Sequence, residues 1–158
     1  MKPNQRAMQD VNIRAPEYYI NRELSFLDFN SRVLAQACDE SLPLLDRVRF
    51  LCISCSNLDE FFEIRVAGLK QRQDLGSLHG SLDAMTVPEQ LASIQRRAAA
   101  MVQAQYELLN QTIFPALAQS GIRFFNNKTL SESHRDWLAE YFSKEVEPVL
   151  TPLGLDPA

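Results

Sequence analysis

Between Pro43 and Gly68 this chain has neither glycine nor proline, and between Pro88 and Pro115 it is again uninterrupted. Nothing in such stretches breaks a helix, since glycine adds backbone freedom and proline removes a backbone donor. In both, apolar residues return every three or four positions, the spacing that lines up one face of an α-helix. The first carries Leu44, Val48, Leu51, Cys55, Leu58, Phe62 and Val66 in that rhythm, which Leu69 continues past Gly68, with Leu45, Ile53, Phe61 and Ile64 off the stripe. A helix apolar on more than one side belongs in the centre of a structure. The second carries Leu91, Ile94, Ala98, Met101, Gln105, Leu108 and Thr112 against a face rich in Gln and Arg. At a rise of 1.5 Å per residue it spans roughly 40 Å.

Start signals sharpen these helices. Pro43 suits the first turn of the first stretch, and Thr86, Pro88 and Glu89 suit a capped start of the second. An earlier helix is expected to begin near Phe26, with Ser25 and Asp28 as a capping box and Leu24 with Phe29 as a hydrophobic staple. Its apolar face would hold Phe26, Phe29, Val33 and Ala37, with Leu27 and Leu34 beside them. Residues 73–87, with Gly76, Gly80 and several Ser and Asp, read as a surface loop. Three helices joined in this way predict an antiparallel bundle.

The pattern changes after Gly121. Ile122 to Phe125 and Val149 to Leu155 read as short strands, with a helix from Ser131 to Glu147 between them whose apolar face is Trp137, Leu138, Tyr141, Phe142 and Val146. Two short strands do not make a stable sheet. We therefore expect an all-α antiparallel helical bundle over residues 1–118, the start of a following α/β domain over 119–158, and a longer natural polypeptide of which this is the front.

Composition narrows the function. With 16 basic and 20 acidic residues there is no net positive field for nucleic acid, which is not an expected partner. The longest apolar run, Ala98 to Val102, is far too short to cross a bilayer, and the opening residues have no apolar signal core, so no transmembrane segment and a cytoplasmic location are expected. Cys38, Cys52 and Cys55 are read as small buried thiols in a reducing compartment. Cys52 and Cys55 form a CxxC without a second Cys or His pair, so no metal site is expected. Phosphate-binding glycine loops and a GxSxG nucleophile motif are absent.

The segment with chemical content is Ser54-Cys55-Ser56-Asn57-Leu58-Asp59-Glu60-Phe61-Phe62, where polar groups interrupt the central helix. Buried without partners, such groups cost on the order of 1–3 kcal/mol each, so something must hydrogen-bond them. Either Asn57 and Asp59 satisfy neighbouring helices, or they present a carboxamide and a carboxylate to a ligand; Asn both donates and accepts, which suits a purine edge. Asp59 and Glu63 share a helix face but lack any feature dividing them into acid and base. Arg65 and Arg72, with Lys70 nearby, read as a solvated basic face that could otherwise meet phosphate.

Three blocks carry a resemblance: Tyr19-Ile20-Asn21-Arg22-Glu23-Leu24-Ser25-Phe26-Leu27-Asp28-Phe29-Asn30; Pro43-Leu44-Leu45-Asp46-Arg47-Val48-Arg49-Phe50-Leu51; and Ser56-Asn57-Leu58-Asp59-Glu60-Phe61-Phe62 with Arg65-Val66-Ala67-Gly68-Leu69-Lys70. In order and at family spacing they closely resemble the N-terminal domain of bacterial polyphosphate kinase. The likeness is looser through the long third helix and returns at Leu150-Thr151-Pro152-Leu153 and Asp156-Pro157-Ala158, which resemble the start of the family's middle (head) domain. Phe26 stands where the family commonly has Trp, which keeps an aromatic core residue.

The resemblance implies an enzyme that reversibly moves the terminal phosphate of ATP onto inorganic polyphosphate through a phosphohistidine, with Mg2+. It implies ATP, ADP and polyphosphate as partners, a homo-oligomer, and peripheral association of the full-length protein with the inner membrane. The family's nucleophilic histidine, magnesium site and most phosphate-binding residues belong to later domains. His79 and His134 match no catalytic position, and no catalytic residue or Mg2+ ligand is expected in this chain, which by itself should be inactive. Asn57 occupies the motif position of an ATP contact, with Asp59 and Arg65 as supporting residues. The alternative is a helical oligomerisation or interaction module that binds no nucleotide, motivated by the long amphipathic third helix.

Overall fold

The computed structural model describes residues 12–13, 15–76, 81–126 and 128–154. His79 and the final apolar run from Leu155 through Asp156-Pro157-Ala158 lie outside the described residues. The chain parts into two compact units at Ser120/Gly121. Among the described residues every regular element is helical, in line with the all-α expectation.

The first unit opens with a short 3-10 turn, Pro16–Tyr18, and α1, Arg22–Cys38. Helix α1 begins four residues earlier than expected. The side chain of Asn21 accepts hydrogen bonds from the backbone N–H groups of Glu23 and Leu24, both at 3.0 Å, and Ser25 lies inside the helix with its N–H on the Asn21 carbonyl. Of two cap-competent residues the earlier prevails, because each further residue added to a nucleated helix gains a hydrogen bond. The buried face also differs from the expected one. It is Leu27, Asn30, Leu34 and Ala37, whereas Phe29 is 47% exposed.

Helix α2, Leu44–Glu60, continues through a π turn, Phe61–Val66, into α3, Ala67–Asp74, as one rod. Pro43 is its N-cap rather than a first-turn residue. Gly68 lies inside the rod, which ends at Leu75 with Gly76 in the left-handed region. The buried stripe is Arg47, Leu51, Ser54, Leu58, Phe61, Val66 and Leu69. The step of five from Phe61 to Val66 is the π turn: wider winding keeps both in the core where α spacing would have turned one away. Phe62, expected in the stripe, is 40% exposed.

Helix α4, Val87–Leu108, starts where the sequence indicated, with a complete capping box between Thr86 and Glu89. These hydrogen bonds, from the Thr86 hydroxyl and then from its backbone, hold the Glu89 carboxyl below its usual range. A second π turn, Leu109–Ile113, leads into α5, Phe114–Gln119. The rod therefore passes the expected stop at Pro115, the second residue of the segment after the π turn. The same turn places Ile113 in the core instead of Thr112.

Contacts fix the directions. Ala37 meets Arg47, Asn30 meets Ser54, and Glu23 meets Arg65, so α1 and the α2 rod run opposite ways. Asp28 meets Arg97 and Asn30 meets Met101, so α4 runs with α1. The outcome is an up-down-up bundle whose core gathers Leu27, Leu51, Leu58, Phe61, Ile94 and Met101. Arg47 is buried, and its Nε donates to the Ala37 carbonyl at 2.9 Å, placing a cation at the C-terminal end of α1, where the helix dipole favours it.

In the second unit Ser131 caps α6, Glu132–Tyr141, followed by a π turn at Phe142–Val146 and a 3-10 turn at Glu147–Val149. The two expected strands do not form: residues 122–126 and 150–154 are unpaired among the described residues. A strand exists only with a ladder partner to take its N–H and C=O groups, and neither segment has one. Trp137, Leu138, Tyr141 and Phe142 are exposed, with Trp137 stacked on Tyr141 at 5.2 Å.

Candidate functional site

The first turns of α1 and the junction of α2 with its π turn enclose a cleft of about 340 Å³, lined by Arg22, Glu23, Phe26, Asn57, Glu60, Phe61, Ile64 and Arg65. The π turn supplies Phe61, Ile64 and Arg65 together, an instance of local unwinding at the edge of a cleft. Arg65 is not on a solvated basic face, as expected, because the turn rotates it inward. Its Nη1 lies 3.1 Å from Glu23 Oε2, and its guanidinium sits 5.3 Å from the centre of the Phe26 ring. Phe26 in turn stacks on Phe61 at 5.1 Å with planes 5° apart. Glu23, Arg65, Phe26 and Phe61 are thus mutually fixed.

Two lining groups stay available. Arg22 has no carboxylate partner among the described residues and is exposed at the start of α1. Asn57 is half-buried, and its Nδ2 donates to Asn30 Oδ1 at 3.1 Å. Behind it runs a fully partnered polar network. Asn30 donates to the Ser54 carbonyl at 2.9 Å and approaches Met101 Sδ at 3.2 Å, while Gln105 Nε2 donates to Ser54 Oγ at 2.9 Å. No buried side-chain polar atom of the described residues lacks a partner. The chain's answer to the cost of burying these groups is to pair them across three helices.

Of the site residues singled out from sequence, the fold brings Asn57 and Arg65 into one cleft and puts Asp59 elsewhere. Asp59 is exposed and lines a different groove of about 530 Å³ between α2 and α4, with Leu51, Cys52, Cys55, Val102 and Tyr106. Two residues from Asn57 is nearly the opposite side of a helix. The expectation of buried thiols is corrected too: Cys38 and Cys52 are exposed and Cys55 is intermediate. Burial, then the neighbouring Cys52 and Asp59, pushes the Cys55 thiol up, so it stays protonated at neutral pH and is a poor nucleophile.

Sequence reasoning missed Arg22 and Asn30. Arg22 gave no signal, since its helix was expected to start four residues later; Asn30 interrupts an apolar stripe, the same anomaly that singled out Asn57. His134 completes the capping box of α6 begun by Ser131, its Nδ1 2.9 Å from Ser131 Oγ. No group of three or more His, Cys, Asp or Glu that could hold a metal exists among the described residues. No helix among them is long and apolar enough to cross a membrane.

Residues 19–125, which include every residue of the cleft, match the family model of the polyphosphate kinase N-terminal domain. The chain belongs to the polyphosphate kinase N-terminal domain family. Relatives named polyphosphate kinase include one from Xylella fastidiosa (strain Temecula1 / ATCC 700964), 50% identical over 145 residues, covering 92% of this chain and 21% of that protein. Another, from Burkholderia multivorans, is 47% identical over 150 residues, covering 94% of this chain and 21% of that one. The fold is similar to the crystal structure of polyphosphate kinase from Porphyromonas gingivalis, with a TM-score of 0.64 and 31% identity over 87% of this chain and 19% of that chain. As a polyphosphate kinase N-terminal domain, this chain spans about one fifth of the length of the curated relatives it matches.

Proposed function

We propose that this chain forms one wall of the nucleotide site of a polyphosphate kinase, which reversibly transfers the terminal phosphate of ATP to inorganic polyphosphate through a phosphohistidine. The observation that carries this reading is the meeting of Asn57 with Arg22 and Arg65 in one cleft of the matched domain. Asn57 offers its amide to the edge of a base, and Arg22 lies where a cation would meet ribose or phosphate oxygens. Arg65, held by Glu23 and packed over Phe26, shapes the wall. Asp59, in the other groove, takes no part in this wall. Residues 119–158 open the middle domain, and assembly into a homo-oligomer belongs to the whole enzyme.

The described residues do not fit a magnesium site, so no step through the metal is assigned to them. Nucleophilic histidine and metal belong, in this reading, to parts of the longer relatives that this chain does not span. The 158-residue chain alone then shows no ATP turnover above background, and polyphosphate synthesis by it would overturn the assignment.

The test is the ATP dependence of polyphosphate synthesis by the full-length enzyme beside its Asn57→Ala variant. Loss of one hydrogen bond to the base corresponds to a rise in KM for ATP of roughly three- to tenfold. An unchanged KM would make Asn57 purely structural.

A further inference from the structure

Asn30 is completely buried where α1, α2 and α4 meet, and it determines which end of the Asn57 amide can face the cleft. The Ser54 carbonyl is a pure acceptor, so the end of Asn30 that lies 2.9 Å from it must be the NH2 group. Asn30 therefore turns its oxygen to Asn57, and Asn57 must answer with its own NH2, at 3.1 Å. An amide carries oxygen and nitrogen on opposite sides of Cγ. With one Nδ2 hydrogen given to Asn30, Oδ1 is the end of the Asn57 amide that no donor among the described residues engages, and it is left for the cleft that Asn57 lines. Reversing either amide would set two oxygens against each other inside the bundle and forfeit a buried hydrogen bond.

We infer that Asn30 is a positioning residue for specificity: it locks Asn57 as a hydrogen-bond acceptor, so that the cleft prefers a purine carrying an amino group at position 6 over one carrying an oxygen there. This inference rests on the nucleotide reading above and deepens it. A 6-amino group donates to Asn57 Oδ1; a 6-oxo group opposes acceptor to acceptor; an unsubstituted purine offers nothing at that position. A site built around one polar partner rejects analogues because its own group is then left unpaired.

The experiment uses the full-length enzyme and polyphosphate synthesis from ATP, ITP and purine riboside triphosphate. Wild type is expected to favour ATP over both analogues by about tenfold or more in kcat/KM, the worth of one well-placed hydrogen bond and one avoided repulsion. Asn30→Leu, which keeps the volume and removes the lock, is expected to bring the ATP-to-ITP ratio to within about threefold, through KM more than kcat. A merely structural Asn30 would weaken all three nucleotides alike, and that unchanged ratio would overturn the inference. Equal use of the three nucleotides by wild type would overturn it as well, even if Asn30→Leu does not fold. Asn57→Ala separates the two levels. If it raises KM for ATP while wild type does not discriminate, the inference fails and the nucleotide reading stands; if it leaves KM for ATP unchanged, the nucleotide reading itself fails.

Discussion

Arg47 shows how much one side chain decides in this bundle. Only 8% exposed, it spans from the first turn of α2 to the Ala37 carbonyl at the end of α1, and so ties down the short connection between them. The Asp39 carboxyl in that connection is held below its usual range, chiefly by hydrogen bonds from the Ser41 side chain and backbone, with the Arg47 charge a lesser cause. Replacing Arg47 by Met keeps the packed stem and deletes the donor, so Arg47→Met should destabilise the chain by about 1–3 kcal/mol in urea denaturation, as expected for a buried charge-assisted hydrogen bond. A loss within error would mean that water serves Ala37 equally well. Asn57 and Asn30 were unequal in the sequence for a physical reason: a polar residue in a helix announces an interruption, but only the neighbours across the bundle say whether it meets a ligand or another amide.

At the scale of the elements the two π turns of the first unit are the features that propensity and periodicity could not supply. The apolar spacing admitted several stripes, and each turn chose among them by adding one residue to a winding, which brought Val66 and Ile113 into the core. Deleting the exposed Glu63 would leave Phe61 and Val66 four apart, a regular α spacing. We expect that variant to fold with stability changed by no more than about 1 kcal/mol, since the core stripe survives, while the full-length enzyme loses affinity for ATP because Ile64 and Arg65 leave the cleft wall. Thermal denaturation and KM for ATP together check this, and unfolding of the variant would show that the π turn itself is needed for the core. Gly68 offers a simpler case. It is helical, and a Cβ there would meet nothing within 4 Å. Gly68→Ala should therefore stabilise the 158-residue chain by about 0.5–1 kcal/mol by restricting the unfolded backbone, measurable as a rise in the urea midpoint.

Taken whole, the molecule concentrates its stability in one of its two units. All fully buried residues among those described belong to residues 12–120; within 121–154 none is buried, and large apolar side chains such as Trp137 and Phe124 are more than half exposed. A unit with so little burial has few contacts to offset chain entropy. Limited trypsin treatment of the 158-residue chain should therefore cut first at Arg123, Lys128, Arg135 or Lys144 and leave a resistant helical fragment ending near Arg123; early cuts in α1 or α4 would contradict this. The sequence by itself determined the helical class, the Thr86 start of α4 and the Ser131 start of α6, because caps, breakers and apolar spacing act within a few residues of chain. Tertiary structure alone decided which faces are buried, that Arg65 turns inward while Asp59 turns away, and that Asn30 stands behind Asn57. Those choices depend on which helix lies opposite and on one residue of extra winding, and neither is encoded in any short stretch of sequence.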